Sequence, residues 1–256
     1  MGYKYPSLRT TLPIAGYYAR LDSGAAATDQ FTADGAQDGT LINGATRVDD
    51  NGLAYSFDGV NDYLTIPFAA FPGAYPFSIS CWFNVPNVTD AFYLLSINDI
   101  NSSDAYFALA AAGTLTGDPV VVLAGDAGGT SFAQSSAGFT ANTWHHVLAV
   151  FTSVSSRTVY LNGGSSGTET TARSPNLALL DNIAVGALRR SSVIHSQCLI
   201  DDIAIYPIAL NATQAGYLAS QRGVIYVLAA SGGSPINGQS LIRPADSKPY
   251  QQLIGV

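Results

Sequence analysis

One stretch of this chain, residues 53–66, strongly constrains how the chain can fold. It reads LAYSFDGVNDYLTI, two short runs of alternating apolar residues separated by turn-forming ones. Tyr55 and Phe57 share one face of the first run, and Leu64 and Ile66 share one face of the second, because side chains alternate along a strand. The Asp-Gly pair between the runs supplies the positive φ of a tight turn. The stretch therefore predicts a β-hairpin.

Similar alternating segments recur along the chain, with Gly, Pro, Asn and Asp between them, and helical periodicity is nearly absent. This pattern is typical of a sandwich of two antiparallel sheets. The predicted strands cover residues 15–21, 53–57, 63–66, 77–84, 91–97, 106–111, 120–124, 145–151, 157–161, 182–185 and 198–206. One helical turn is predicted over residues 211–221, where Asn211 can cap the first turn. Residues 22–50, rich in Ala, Gly, Asp and Thr, are expected to form a long ordered loop.

Composition limits the class of protein. A chain of 256 residues, 47% of them hydrophobic, can bury one substantial core. Only 11% of the residues are charged and the net charge is −7, which excludes a nucleic-acid surface built from clustered Lys and Arg. The adjacent basic pair Arg189-Arg190 is predicted to lie in a solvated loop. There is no apolar run of membrane-spanning length and no apolar core of a secretion signal, so we expect neither.

Three further segments follow residues 53–66 in a fixed order. They are FSISCWFN at 77–84, NTWHHVLAVF with TVYLNG within 142–163, and LIDDIAIYP at 199–207. Together they resemble the laminin-G-like, concanavalin A-type family. The resemblance implies an all-β, two-sheet antiparallel jelly-roll sandwich with one short helix. We expect this domain at residues 1–222, followed by an extended C-terminal strand and tail at 223–256.

The acidic residues argue against catalysis. Glycosidases of this fold carry an E-x-D-x-x-E cluster, but Glu169 is the only glutamate in this chain. Asp201 and Asp202 are a candidate carboxylate pair, yet neighbours on a regular strand face opposite sides of the sheet. We therefore predict no enzymatic activity, and a glycoside hydrolase using aspartates is the least favoured alternative.

The same Asp pair predicts a break in the strand. Ile200 and Ile203 can both be buried only if the strand shifts by one residue at the pair, as in a β-bulge. The resemblance implies a structural calcium held by Asp202, by Asp22 and by a backbone carbonyl near residue 52. Hydrogen bonding of the bulge without a metal is the alternative.

Four aromatic residues near predicted loop ends are candidate platforms for a sugar ring, with packing in the core or at its rim as the alternative role. They are Phe71, Tyr75, Phe92 and Tyr93. Cys81 and Cys198 are expected to be buried free thiols, and His145 and His146 to face opposite sides of one strand without forming a metal site.

The C-terminal tail carries apolar residues that a disordered segment normally lacks. We expect it to dock on its own domain or on a partner through Leu241, Ile242, Tyr250, Leu253 and Ile254.

The start of the chain, YPSL at residues 5–8 and PIAGYYARLD at 13–22, is similar to bacteriophage-encoded members of the family, with Tyr18 in place of their tryptophan. A sparsely charged surface also suits a protein docked in an array. We therefore expect a non-enzymatic virion surface protein, a capsid decoration or adhesion protein, with other virion proteins, further copies of itself and cell-surface glycans as partners. A microbial carbohydrate-binding or adhesion module is the alternative. Neither nucleic acid nor a membrane is an expected partner.

Overall fold

The computed structural model describes residues 17–19, 39–49, 53–220 and 222. The described residues form seventeen strands and one α-helix, with short 3₁₀ turns at Phe68–Ala70 and Leu177–Leu179. In chain order the elements are β1 Tyr17–Ala19, β2 Thr40–Ile42, β3 Thr46–Asp49, β4 Leu53–Asp58, β5 Tyr63–Ile66, β6 Phe77–Asn84, β7 Ala91–Asn98, β8 Tyr106–Ala112, β9 Pro119–Asp126, β10 Gly129–Gly138, β11 His145–Ser153, β12 Ser156–Leu161, β13 Ser165–Glu169, β14 Asn182–Val185, β15 Ala187–Arg189, β16 Val193–His195, β17 Gln197–Tyr206 and α1 Ala212–Leu218.

Two antiparallel sheets make up the sandwich, which confirms the predicted fold class. The eight-stranded sheet has the order β13-β12-β11-β6-β17-β4-β3, with β1 also paired to β17. The seven-stranded sheet has the order β10-β9-β8-β7-β14-β5-β2, and β15 and β16 form a separate hairpin. Neighbours in each sheet are mostly distant in sequence, as expected of a jelly roll.

The core lies between the sheets and is dominated by aromatic rings. Phe77 of β6 stacks on Phe151 of β11 at a centroid distance of 4.6 Å. Phe107 of β8 meets Phe77 edge-on at 5.1 Å. All three side chains are buried, and such ring pairs add to the hydrophobic stabilisation from their buried area. The alternation along each strand thus supplies one inward face per sheet.

The prediction of a hairpin at residues 53–66 is wrong, although both strands exist. β4 pairs with β3 and β17 in one sheet, whereas β5 pairs with β2 and β14 in the other. Gly59 has φ 80°, and the Asp58 carboxylate accepts a hydrogen bond of 2.7 Å from the Val60 amide. This turn carries the chain across the edge of the sandwich, so that both apolar faces enter the same core.

The helix was predicted at the right place and covers the outer side of the eight-stranded sheet. Asn211 and Gln214 form a reciprocal capping box at its start, which satisfies amides that the first turn leaves unpaired. Below the helix, the outward side chains of the sheet form a buried apolar layer that we call the helix face. Its sheet residues are Leu148, Val150, Ala204 and Tyr206.

Six of the strands that the structure contains were not predicted from the sequence. β2 and β3 interrupt the loop predicted at residues 22–50, so that prediction is wrong over residues 40–42 and 46–49. β10 reads GTSFAQSSAG and β13 reads SSGTE, and both are mostly polar because they lie at sheet edges. β15 and β16 have three residues each, too few to show a period.

Residues 223–256 lie outside the described residues, so the proposed boundary at 222/223 and the docking role of Leu241, Ile242, Tyr250, Leu253 and Ile254 stay predictions. Within the part of the chain that the structure describes, no helix has the length and apolar character needed to cross a membrane.

Candidate functional site

The structure separates the four aromatic residues predicted to bind a sugar. Phe71 and Phe92 belong to the core, with exposed fractions of 6% and 4%, so the prediction that they are platforms is wrong. Their rings fill the space between the sheets and present no face to solvent. Tyr75 is half-buried against Phe77 and Phe107, and burial raises its pKa to about 12.

Tyr93 lies on a different surface, the outer side of the seven-stranded sheet. An irregularity of register between Tyr93 and Leu95 in β7 places the Tyr93 ring outward, opposite Ala110 of β8. The outward positions of β7 to β10 form a continuous surface, which we call the tyrosine face. Its larger side chains are Tyr93, Tyr106, Leu123 and Phe132.

Small side chains form the floor of the tyrosine face. Ala108 lies opposite Leu123 and Ala110 lies opposite Val121 in the ladder between β8 and β9. Ala108 and Ala110 are buried beneath the larger side chains, whereas Tyr93 and Leu123 are half-buried and Phe132 is 38% exposed. The outward positions of β8, β9 and β10 carry no charged side chain.

The hairpin of β15 and β16 borders this face along β7. The Ser96 hydroxyl donates a hydrogen bond of 2.8 Å to the Ala187 carbonyl. The Tyr93 amide donates one of 2.7 Å to the Ser196 hydroxyl. Leu188 is buried between these two attachments and packs in one cluster with Tyr106 and Tyr93. The hairpin is therefore fixed to the sheet at both ends.

Arg190 follows β15 and extends over the tyrosine face. Its guanidinium carbon lies 4.6 Å from the centroid of the Tyr106 ring, and its Nη1 donates a hydrogen bond of 3.0 Å to the Ser103 carbonyl. The Tyr106 hydroxyl is 2.6 Å from the Thr130 hydroxyl. Gly125 lies against the same ring, where a Cβ atom would overlap it. Glycine is thus required at this point for the ring to lie flat.

Arg189 has a matching arrangement on the other side of the hairpin. Its guanidinium carbon is 4.8 Å from the Tyr63 ring centroid, and its Nη1 donates a hydrogen bond of 3.0 Å to Asn182. The prediction that Arg189 and Arg190 form a solvated loop is wrong, since both are half-buried. Stacking on tyrosines keeps their guanidinium planes in place.

Burial is the largest cause that raises the pKa of the Tyr93 hydroxyl, and the neighbouring Tyr106 adds to it, while Arg190 acts in the opposite direction. The hydroxyl therefore stays protonated at neutral pH and can donate a hydrogen bond.

The Asp pair lies on the opposite surface of the molecule. The predicted bulge is confirmed by a register shift between Asp201 and Ala204 and by a φ of 48° at Asp202. Ile200 and Ile203 both enter the core, so Asp201 and Asp202 lie between them on the outer side of the strand. The expectation that these neighbours face opposite sides is therefore wrong, because the bulge interrupts the alternation.

The Asp pair is nevertheless closed to a substrate. Asp201 is fully buried, and its Oδ2 lies 3.4 Å from Nη1 of Arg222. That guanidinium also lies 3.8 Å above the ring of Trp144. The other carboxylate oxygen of Asp201 accepts a hydrogen bond of 2.9 Å from the Asp202 amide. Asp202 itself is 7% exposed.

A model of the Laminin_G_3 family, described as the concanavalin A-like lectin/glucanases superfamily, matches residues 58–216. The chain belongs to this superfamily. A search of curated proteins finds no match. The family assignment confirms the resemblance drawn from the four sequence segments.

Solved structures share the superfamily fold at low sequence identity. Domain 4 of AbnA, an extracellular arabinanase of Geobacillus stearothermophilus solved in complex with arabinotriose, has 17% identity and a TM-score of 0.64, covering 80% of this chain and 98% of that one. A Trypanosoma rangeli sialidase in complex with the inhibitor DANA has 17% identity and a TM-score of 0.60, covering 81% of this chain and 33% of that one. The botulinum neurotoxin type G receptor-binding domain has 14% identity and a TM-score of 0.57, covering 81% and 51%. This chain thus spans a third of the sialidase chain and half of the toxin chain.

The calcium site implied by the resemblance is not tested, because Asp22 and residue 52 lie outside the described residues. Among the residues that are described, no three His, Cys, Asp or Glu side chains come together as metal ligands. The pair Asp22 and Asp202 remains a prediction, and thermal melts with and without EDTA test it.

The other reactive residue types have structural roles. His145 faces the core side beside Phe83, while His146 lies on the outer side, edge-on to Trp82 at 5.5 Å. The two histidines therefore face opposite ways, as predicted. Cys81 and Cys198 are buried free thiols, and burial raises the pKa of both well above the usual range.

Four residues of the tyrosine face were missed by sequence reasoning: Tyr106, Leu123, Phe132 and Arg190. Tyr106 was assigned only to a strand, and Phe132 lies in β10, whose polar composition hid it. One sequence feature could have pointed to Arg190. Arg189 and Arg190 are the only adjacent basic residues in a chain with 11 Lys and Arg.

Proposed function

We propose that this chain is a non-catalytic glycan-binding module and that its ligand lies on the tyrosine face. One observation carries the proposal. The outward positions of β8 to β10 form an uncharged surface with half-buried Leu123 and exposed Phe132, next to half-buried Tyr93 of β7 and to hydrogen-bonding groups at its border.

This combination matches the chemistry of a sugar. A pyranose ring has an apolar C–H face that packs on aromatic and aliphatic side chains, and hydroxyls at its edge that need hydrogen bonds. Phe132 and Tyr93 provide the first kind of contact. The Tyr93 hydroxyl, the exposed Thr130 and the exposed Gln134 provide the second.

Two further findings support binding rather than hydrolysis. Domain 4 of the arabinanase AbnA, 98% of which aligns with 80% of this chain, was solved in complex with arabinotriose. Hydrolysis by the usual route needs two carboxyl groups on either side of the scissile bond, whereas the outward positions of β8 to β10 carry none and Asp201 is closed by Arg222.

A glycan array with the full chain tests the proposal. We expect binding to a limited set of saccharides, lost in Phe132→Ala and retained in Leu179→Ala, which truncates another exposed apolar side chain, 52% exposed, outside the tyrosine face. Equal loss in both variants, or no saccharide bound at all, contradicts the proposal. Hydrolysis of a bound saccharide that Asp202→Asn abolishes would contradict its non-catalytic part.

A second proposal concerns attachment. We propose that the chain is a virion surface protein, a decoration or adhesion protein, attached through residues 223–256. Only 11% of its residues are charged. This low content suits a protein whose surface is packed against neighbouring proteins in an array. Arg222, the residue before the proposed attachment segment, contacts Asp201 and Trp144 and lies on the outer side of the eight-stranded sheet, opposite the tyrosine face.

Truncation after Gly223 tests this second proposal. The truncated chain is expected to lose attachment to particles and keep its saccharide binding. Attachment that survives the truncation would contradict it.

A further inference from the structure

The arginines of the described residues differ in how their charges are balanced. Arg173 lies 3.7 Å from a carboxylate oxygen of Asp126, and Arg222 lies 3.4 Å from Asp201. Arg190 has no carboxylate oxygen within 4 Å among the described residues. Its positive charge is balanced only by the face of the Tyr106 ring and by a backbone carbonyl.

The carboxylates nearest in sequence to the Ser103 contact are held by their own loops. Asp99 accepts a hydrogen bond of 2.8 Å from the Asn101 amide, and Asp104 accepts one of 3.0 Å from the Ser103 hydroxyl. Asp181, on the neighbouring loop, accepts one of 3.1 Å from the Ile100 amide. Each of these three carboxylates thus has a hydrogen bond within the loops, and none of them pairs with Arg190 within 4 Å.

The guanidinium of Arg190 is also partly removed from water. Its Nε is buried and has no hydrogen-bond partner among the described residues, and its Nη1 is used by Ser103. Nη2 therefore remains for a ligand. A charge-assisted hydrogen bond at a partly desolvated site is stronger than the same bond in bulk water.

We infer that the saccharide carries a carboxylate and that Arg190 binds it, while the rings of the saccharide pack along the tyrosine face. This inference rests on the proposed glycan-binding function. Sialic acids and uronic acids are two classes of carboxylate-bearing sugar, and both present a planar anionic group beside an apolar ring face. The absence of other charges on β8 to β10 makes Arg190 the group that distinguishes such a sugar from a neutral one.

The test measures dissociation constants of the full chain for two matched pairs of saccharides. Sialyllactose is compared with lactose, and a galacturonate trisaccharide with its methyl ester. We expect one acidic member to bind about tenfold or more tightly than its neutral partner, the effect of one hydrogen bond to a charged group. Which pair shows the difference identifies the sugar class.

Two substitutions test whether Arg190 causes the preference for the acidic sugar. Arg190→Gln should remove the preference for the acidic sugar, and Arg190→Lys, which keeps the charge without the planar group, should reduce it. Arg189→Gln is the matched control, since Arg189 stacks on Tyr63 on the other side of the hairpin, and it should leave the preference unchanged. Thermal melts of all three variants establish that they are folded.

The outcomes separate the inference from the function on which it rests. Equal binding of acidic and neutral partners, lost in Phe132→Ala, would overturn the inference and leave glycan binding intact. An acidic preference unchanged in Arg190→Gln would also overturn it. No binding of any saccharide in these pairs or on the array would overturn both.

Discussion

The two outer surfaces of the sandwich are built in opposite ways. On the helix face, α1 and the segment before it cover the outward side chains, so that Leu148, Val150 and Tyr206 are buried. On the tyrosine face, no helix among the described residues covers the sheet, and Tyr93, Leu123 and Phe132 are partly exposed. Both faces are apolar, but within the described part of the chain only the helix face is covered by other residues.

The charges follow the same division. Arg222 beside the helix face is paired with buried Asp201, whereas Arg190 on the tyrosine face lacks such a partner among the described residues. The apolar side chains of the helix face are buried and the charge of Arg222 beside it is paired, so this face contributes to stability. The tyrosine face leaves both kinds of group available among the described residues, and it is there that we propose a ligand binds.

The largest expected effect at neutral pH compares one leucine on each face. Leu148→Ala should lower the free energy of unfolding by about 3 kcal/mol, because it opens a cavity beneath the helix. Leu123→Ala should cost less than about 1 kcal/mol, since Leu123 is half-buried. Chemical denaturation measures both. Equal costs would contradict the contrast between the two faces.

Breaking the ion pair beside the helix face should have the next largest effect. Asp201→Asn is expected to cost about 2 kcal/mol, because Arg222 then loses a hydrogen bond to a charged group. Asp104→Asn is the control, since Asp104 is exposed, and a change within about 0.5 kcal/mol is expected there. If the two variants melt at the same temperature, the pair contributes nothing.

The third prediction concerns acid pH. Burial lowers the pKa of His146 from 6.5 to about 3, and its Nδ1 has no hydrogen-bond partner among the described residues. The folded-state pKa lies below the unfolded one, so the unfolded state takes up a proton first as the pH falls. This contribution to stability is complete above pH 6.5 and should be lost by about 1.4 kcal/mol per pH unit between 6.5 and 3.

Denaturation of His146→Gln at several pH values checks this prediction. The variant should show a shallower loss of stability from pH 6 to pH 4 than the unsubstituted chain. Parallel slopes for His146→Gln and the unsubstituted chain would contradict the prediction.

The smallest effect concerns the helix cap. Asn211→Ala should cost about 1 kcal/mol, because it removes the side chain that accepts the Gln214 amide. The melting temperature should fall, while saccharide binding on the tyrosine face should not change. Weaker saccharide binding in this variant would show that the two faces are coupled.

The sequence predicts strands better than it predicts their partners. β5, β6 and β14 have the predicted bounds, and the bulge at Asp201 was predicted because Ile200 and Ile203 could both be buried only with a shift of one residue. Alternation reports which side chains share a face, but not which sheet a strand joins. For that reason β4 and β5 were taken for a hairpin, although they belong to different sheets.

The candidate site was less predictable, because it is assembled by tertiary contacts. Phe92 and Tyr93 are neighbours in sequence, yet one is in the core and the other on the outer surface. Arg190 reaches Tyr106, 84 residues earlier in the chain, because the short hairpin folds back over β7. No local pattern encodes that contact.

The position of the bound saccharide is the most direct test of the account. Backbone amide chemical shifts of the full chain should be recorded during titration with the tightest saccharide from the array. We predict that the largest changes fall on the tyrosine face, at Tyr93, Leu123, Phe132 and Arg190. Changes confined to the loops around Tyr75, or to α1 and the helix face, would contradict the account.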